Sequence, residues 1–257
     1  MQKNFHTHTF RCKHATGLDK EYVERAIQSG LLVLGFSDHI PYPYPKNFSS
    51  NIRMDLNLLD NYVDSVLQLK EEYKKDIDIY LGFEAEYFEE YWDKMEFILS
   101  PYPIDYMILG QHYLNSEIYG EACNAPTKEE NLLKKYVDSL ILAISTNSFS
   151  YIAHPDIFNF TGDSFVYHHH MVRLCEAAKD QNIPLEINLL GLSQNRTYPD
   201  SKFFQIAKEV GNTIVLGRDA HDPIAFLDES TLQKALDFAK KNELEITEDF
   251  ILRKPFA

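Results

Sequence analysis

The stretch LLVLGFSDH, residues 31–39, is an apolar run that ends in two side chains able to bind a proton or a metal. Before it lies DKEYVERAIQSG, residues 19–30, in which Tyr22, Val23, Ala26 and Ile27 share one helical face. Asp19 is placed to cap that helix and Gly30 to stop it. The unit reads as helix, buried strand, polar strand end. It recurs in both directions: KNFHTHT (3–9), IDIYLGFEAEYF (77–88), DYMILGQHYL (105–114), SYIAHPD (150–156), PLEINLLGL (184–192) and TIVLGRDAH (213–221) each read as a strand. Segments with helical spacing separate them, SKFFQIAKEVG (201–211) among them. Such alternation predicts parallel strands joined by right-handed crossovers. Seven units suit a closed or nearly closed α/β barrel, and an open doubly wound sheet is the competing architecture.

The polar residues fall at one place in every unit. His6 and His8, Asp38 and His39, Glu84, His112, His154, Glu186 and Asn188, and Asp219 and His221 all lie at or just past the end of an apolar run. In an α/β barrel those ends converge on one mouth. A lone histidine is more often a hydrogen-bonded core or surface residue; the coincidence across strands favours a site. His6 and His8 are two apart on a strand, so both imidazoles project from one face, as chelation requires. Imidazole mixed with carboxylate suits Zn, Fe or Mn better than Mg or Ca. His6, His8, His14, His39, His112, His154 and His221 with Glu84 and Asp219 are too many ligands for one ion and fit two or three that share a carboxylate. Three divalent ions against two carboxylates leave a cationic centre that invites a phosphate.

The 257 residues, 44% of them hydrophobic, can bury one large core, and no linker divides them, so residues 1–257 read as a single domain. A formal net charge of -14 argues against nucleic acid or anionic membrane as a partner. With no apolar N-terminal segment and no membrane-length apolar run, we expect a cytoplasmic protein. Three cysteines without a C-x-x-C pair read as free thiols.

Through HTHTFRCKHATG (6–17), GFSDH (35–39), GFEAEYF (82–88), GQHYL (110–114), AHPD (153–156), EINLLGL (186–192) and GRDAH (217–221), in that order, the chain resembles the PHP (polymerase and histidinol phosphatase) family of metal-dependent phosphoesterases. Its first two stretches resemble the histidinol-phosphatase branch. The resemblance implies a distorted seven-stranded (β/α)7 TIM-like barrel with a trinuclear metal centre at its C-terminal mouth. His6, His8, Glu84 and Asp219 would hold one ion, Glu84 would bridge to a second held also by His112 and His154, and His14, His39 and His221 would take the third. The implied substrate is the small phosphate ester L-histidinol phosphate, the alternative being another small phosphate ester or a nucleotide. The oligomeric state is left open.

Two positions depart from the family pattern: Arg218 stands where a small residue, usually Ser, is expected, and AHPDIFNF lacks an expected arginine. For the phosphate we therefore rank Arg196 first, Arg218 second and Arg53 third. Asp38 reads as a proton donor or, preferably, as a group orienting an imidazole. Glu186 and Asn188 are expected to hydrogen-bond ligands. Glu86, Asp156 and Asp222 are candidates for a substrate ammonium, and the loop 41–54 for a lid or wall. The run His168, His169 and His170 reads as a solvated helix face. The competing classes are a nuclease, disfavoured by acidity, an amidohydrolase, which lacks a strand-end lysine here, and a silent metal-binding domain.

Overall fold

The run at 31–39 forms β2, Val33–His39, buried along nearly all its length, in a computed structural model that describes residues 1–256. It lies between β1 (Lys3–Asn4) and β3 (Asp78–Ala85), and β3 pairs onward with β4 (Tyr106–Leu109); all three pairings are parallel. A second parallel pair joins β5 (Leu185–Asn188) to β6 (Ile214–Gly217). Burial on both faces explains why these strands are continuous apolar runs rather than alternating ones.

The four-stranded sheet and the β5–β6 pair are joined through single bridges. Ile152 bridges both Leu109 and Leu185, with Leu109 N donating to Tyr151 O at 3.0 Å and Glu186 N to Ile152 O at 3.0 Å. At the other end His8 N donates to Ala220 O at 2.9 Å and Ala220 N to His6 O at 3.1 Å. The parallel sheet therefore curls round until its first and last strands meet. SYIAHPD, expected as a full strand, is reduced to that bridge. Pro155 has no N–H to give, and His154 N donates to Glu186 Oε2 at 2.9 Å instead of to a neighbouring strand. Six regular strands, not seven, are present among the described residues.

The helices are α1 (Asp19–Gln28), α2 (Leu59–Glu72), α3 (Glu89–Leu99), α4 (Glu130–Ser145), α5 (Ser164–Asp180), the short α6 (Leu189–Ser193), α7 (Ser201–Val210) and α8 (Glu229–Lys241). In α7, Phe203, Phe204, Ile206 and Ala207 are buried, Asp200 caps the start and Gly211 ends it in the left-handed region. Asp19 does not cap α1 as expected. Leu18 is the cap residue, with its N–H on Glu21 Oε2 at 2.6 Å, while Asp19 accepts Arg11 Nη1 at 2.8 Å because that buried guanidinium needs a counter-charge.

One large apolar core lies where the helices pack on the sheet. A second, smaller cluster of Phe5, Tyr106, Ile108, Tyr151, Ala153 and Val215 draws on the residue just after β1, on β4, on the Ile152 segment and on β6. Residues from strands so far apart meet only on the concave side, so this cluster fills the interior of the curl. Among the described residues no helix is long and apolar enough to cross a membrane.

Candidate metal centre

Parallel register sets the first constraint: His39 on β2 lies opposite Glu84 on β3. Two glycines make room for the carboxylates. A Cβ at Gly110 would stand 1.8 Å from Glu84 Oε1, and one at Gly217 would stand 1.7 Å from Glu186 Oε1. The short sequences GQH and GRD therefore owe their glycine to an acidic side chain lying across them.

His6, His8, Glu84 and Asp219 converge in the interior, each at most 4% exposed. His8 Nε2 is 3.1 Å from Asp219 Oδ1 and 3.4 Å from Glu84 Oε2, while His6 Nε2 is 3.4 Å and 3.5 Å from the same two oxygens. All four atoms are buried and lack a hydrogen-bond partner. Buried polar atoms are rarely left so. Four ligands at roughly 2.1 Å from a tetrahedral ion are separated from one another by about 3.4 Å, so the spacing fits a divalent cation among them.

The set extends to either side. His154 Nε2 is 2.8 Å and His112 Nε2 3.5 Å from Glu84 Oε1, and His39 Nδ1 is 3.1 Å from Glu84 Oε2. At the rim His14 and His221 each turn Nδ1 to a backbone carbonyl, Cys12 O at 2.8 Å and Asp219 O at 3.0 Å. That contact places the ring proton on Nδ1 and leaves two Nε2 lone pairs 2.8 Å apart, an arrangement that a cation relieves. Donor atoms of His14, His39 and His221 lie within 4.8 Å of one another. His154 and Asp219 have positive φ, 30° and 51°, a strained backbone of the kind kept at functional sites.

Electrostatics separates the inner and rim groups. Burial opposes charge on His6, but Glu186, Asp219 and Glu84 outweigh it and raise its pKa to about 10. Burial also opposes ionisation of Glu84, yet His112, His39 and His6 hold it well below the usual carboxylate range; His6 and His221 do the same for Asp219. At the rim, burial and then His221 lower His14 to about 4, and burial and then His8 lower His221.

Further residues hold the ligands. Glu186 Oε1 faces His6 Nδ1 at 2.7 Å, and Asn188 Nδ2 donates to Glu186 Oε2 at 2.9 Å and to Asp219 Oδ2 at 3.1 Å. Glu86 Oε1 is 3.2 Å from His112 Nδ1. Asp38 is fully buried, accepts from Thr9 Oγ1 and from His39 N, and lies 3.7 Å from His8 Nδ1. Sequence reading missed Arg11, which donates to Thr9 Oγ1 at 3.3 Å as well as to Asp19, and Tyr198, whose ring lies 5.6 Å from that of His154. Their neighbours HTHTF and RTYP were the available signal.

The arginines part company. Exposed Arg196 donates Nη1 to Tyr198 Oη at 2.5 Å, and the ring of Tyr198 lies beside that of His154. Arg218 is buried, with Nη1 on Ala225 O at 2.7 Å and its guanidinium near the Phe226 ring. Arg53 must be removed from the phosphate candidates, because Glu86 and Glu117 occupy it. Glu86 is correspondingly removed as an ammonium site. Asp222 caps a turn through Ile224 N at 2.9 Å, and buried Asp156 accepts from Asp200 N at 2.6 Å. His170 is buried between Glu130 and Arg173, unlike the solvated face expected of the 168–170 run, because α5 turns that position toward α4.

A protein-family model described as PHP domain matches residues 4–189. The chain belongs to the PHP family. Within that family it is 30% identical over 227 residues to a probable histidinol-phosphatase of Deinococcus radiodurans, covering 85% of each chain. It is 25% identical over 252 residues to the histidinol-phosphatase of Bacillus subtilis, covering 86% of this chain and 94% of that one. The PHP fold here superposes with a TM-score of 0.73, at 21% identity, on histidinol phosphate phosphatase from Lactococcus lactis, a structure complexed with Zn, L-histidinol and phosphate; 100% of this chain and 99% of that chain are covered. The match to the PHP domain model ends before Asp219 and His221, which the curled sheet nevertheless brings to His6 and His14.

Proposed function

We propose that this PHP protein hydrolyses L-histidinol phosphate to L-histidinol and phosphate, a step of histidine biosynthesis, at a centre of three divalent ions. One observation carries the reading: five buried donor atoms without hydrogen-bond partners, His6 Nε2, His8 Nε2, His39 Nδ1, Glu84 Oε2 and Asp219 Oδ1, face one another at the strand ends. The relatives named as histidinol-phosphatases, aligned over most of their length, support the substrate.

We assign His6, His8, Glu84 and Asp219 to one ion, Glu84, His112 and His154 to a second, and His14, His39 and His221 to a third. Bound ions of this kind supply Lewis acidity, activate water for attack on phosphorus and offset the charge of the phosphoryl group. The residues around them do the orienting. Glu186 fixes the ring of His6 and Glu86 that of His112, so that in each the other nitrogen faces the cluster. Asp38, buried and occupied by Thr9 and His39, orients rather than delivers a proton. Arg196 is assigned to the phosphate, since it alone of the three candidates is exposed. We take the curled sheet with its bridge-only joins as a distorted seven-unit barrel.

The test is phosphate release by metal-loaded protein from L-histidinol phosphate, nucleotides, sugar phosphates and a chromogenic phosphodiester. Preference for histidinol phosphate is expected. Turnover of the other esters with histidinol phosphate ignored would overturn the substrate and leave the centre.

A further inference from the structure

Arg53 lies on the loop between β2 and α2, is 1% exposed, and plays no part in the chemistry assigned above. Its guanidinium takes both oxygens of one carboxylate: Nη2 donates to Glu86 Oε1 at 2.8 Å and Nη1 to Glu86 Oε2 at 3.0 Å. Nε donates to Glu117 Oε2 at 2.7 Å, and Nη1 also reaches Ile40 O at 3.2 Å. A planar fork of this kind fixes the plane of the carboxylate it grips, which a lysine ammonium cannot do.

Glu86 Oε1, so fixed, is the oxygen that faces His112 Nδ1 at 3.2 Å, and the opposite nitrogen of that ring is 3.5 Å from Glu84 Oε1. His112 is 21% exposed at its side chain and sits on the loop after β4, so it has less packing to hold it than the interior histidines. Two loops meet at the same guanidinium, because Glu117 lies just beyond His112 and also accepts Ser50 Oγ at 2.6 Å.

We propose that Arg53 is a positioning residue for the metal centre: by gripping Glu86 bidentately it sets the His112 ring so that Nε2 faces the ion shared with Glu84 and His154. This rests on the metal-centre reading above. It accounts for a guanidinium buried against two carboxylates, an arrangement that is not favoured for stability alone.

Zinc-loaded wild type, Arg53→Met, Arg53→Lys, Glu86→Gln and Glu117→Gln would be dialysed against a graded chelator series, and retained zinc measured beside the far-ultraviolet circular dichroism of each. Arg53→Lys keeps the charge and loses the fork. It and Arg53→Met are expected to release zinc at chelator concentrations about 10- to 100-fold lower than wild type, as is common when a group holding a ligand is lost. Glu117→Gln, which frees the loop and spares the fork, is expected to retain zinc like wild type. Combining Arg53→Lys with Glu86→Gln should be no worse than Glu86→Gln alone, since both act through one carboxylate. Arg53→Lys that is folded and holds zinc as tightly as wild type would overturn the inference, as would additive losses in the double variant. Wild type that retains no zinc would remove the metal-centre reading and this inference together.

Discussion

The inner and rim parts of the cluster are built in opposite ways. The inner part sets His6 and His8 against two carboxylates, all of them buried, with Glu186 and Asn188 behind them. The rim part brings His14 and His221 together with Nε2 atoms 2.8 Å apart; His14 Nδ1 meets only the Cys12 carbonyl, His221 Nδ1 meets the Asp219 carbonyl and lies 3.2 Å from Asp219 Oδ1, and His14 is exposed. Carboxylates pull protons onto inner imidazoles and would pull cations equally. Mutually repelling rim imidazoles stay neutral and would bind a cation through their lone pairs. The difference teaches that one mouth can hold a tight, charge-compensated subsite beside a looser one open to substrate.

The strongest way to break this contrast is His8→Ala against His14→Ala. Turnover and the inner metal should be lost in the first, whereas the second should keep the inner metal and lose only part of the rate. Elemental analysis alongside phosphate release would check this, and equal losses would show that the subsites are not distinct. Next comes Gly110→Ala, whose methyl would stand 1.8 Å from Glu84 Oε1 and must displace the carboxylate that we propose two ions share. A displacement of about 1 Å at a reacting centre costs roughly 100-fold in rate, and steady-state kinetics on the folded variant should show a loss of that order.

Smaller again is Glu186→Gln, which keeps shape and removes the charge behind His6. Inner metal affinity should weaken by about 10- to 100-fold with the rim unaffected, as a chelator series would show.

The smallest effect is a contrast in pH behaviour of metal-free protein. The folded pKa of His6 is raised, so the stability it contributes is complete below the ordinary histidine value and is lost as pH rises through about 10. That of His14 is lowered, so its contribution is present above the ordinary value and is lost as pH falls through about 4. Histidine NMR titrations of stripped protein should place the two on opposite sides of the ordinary value. Coincident titrations would erase the electrostatic distinction.

Much of this was legible because a curled parallel sheet converts a repeated local pattern into one place in space. Apolar runs followed by His, Asp, Glu or Asn mark the strand ends of β2, β3, β4, β5 and β6, and the side chains at those ends meet in the cluster. What escaped depends on register and packing. Nothing in SYIAHPD announces that Glu186 will take the N–H of His154 and leave Ile152 a lone bridge. Asp19 sat where a cap belongs, but a buried Arg11 on another segment claimed it. Only the register of β3 against β4 shows that Glu84 fills the side-chain space of Gly110. Arg53 enters the sequence ranking for the phosphate, in third place, because the two carboxylates that occupy it lie far from it in sequence, at Glu86 and Glu117.

The central claim is that the buried cluster is a metal centre and that its metal drives phosphomonoester hydrolysis. Titrating divalent metal back into chelator-stripped protein, while recording both bound metal and phosphate released from L-histidinol phosphate, tests it most directly. Turnover should be absent at the start and rise in step with bound metal until the cluster is filled. Turnover that persists after stripping, or full metal binding without any phosphate release, would contradict the account.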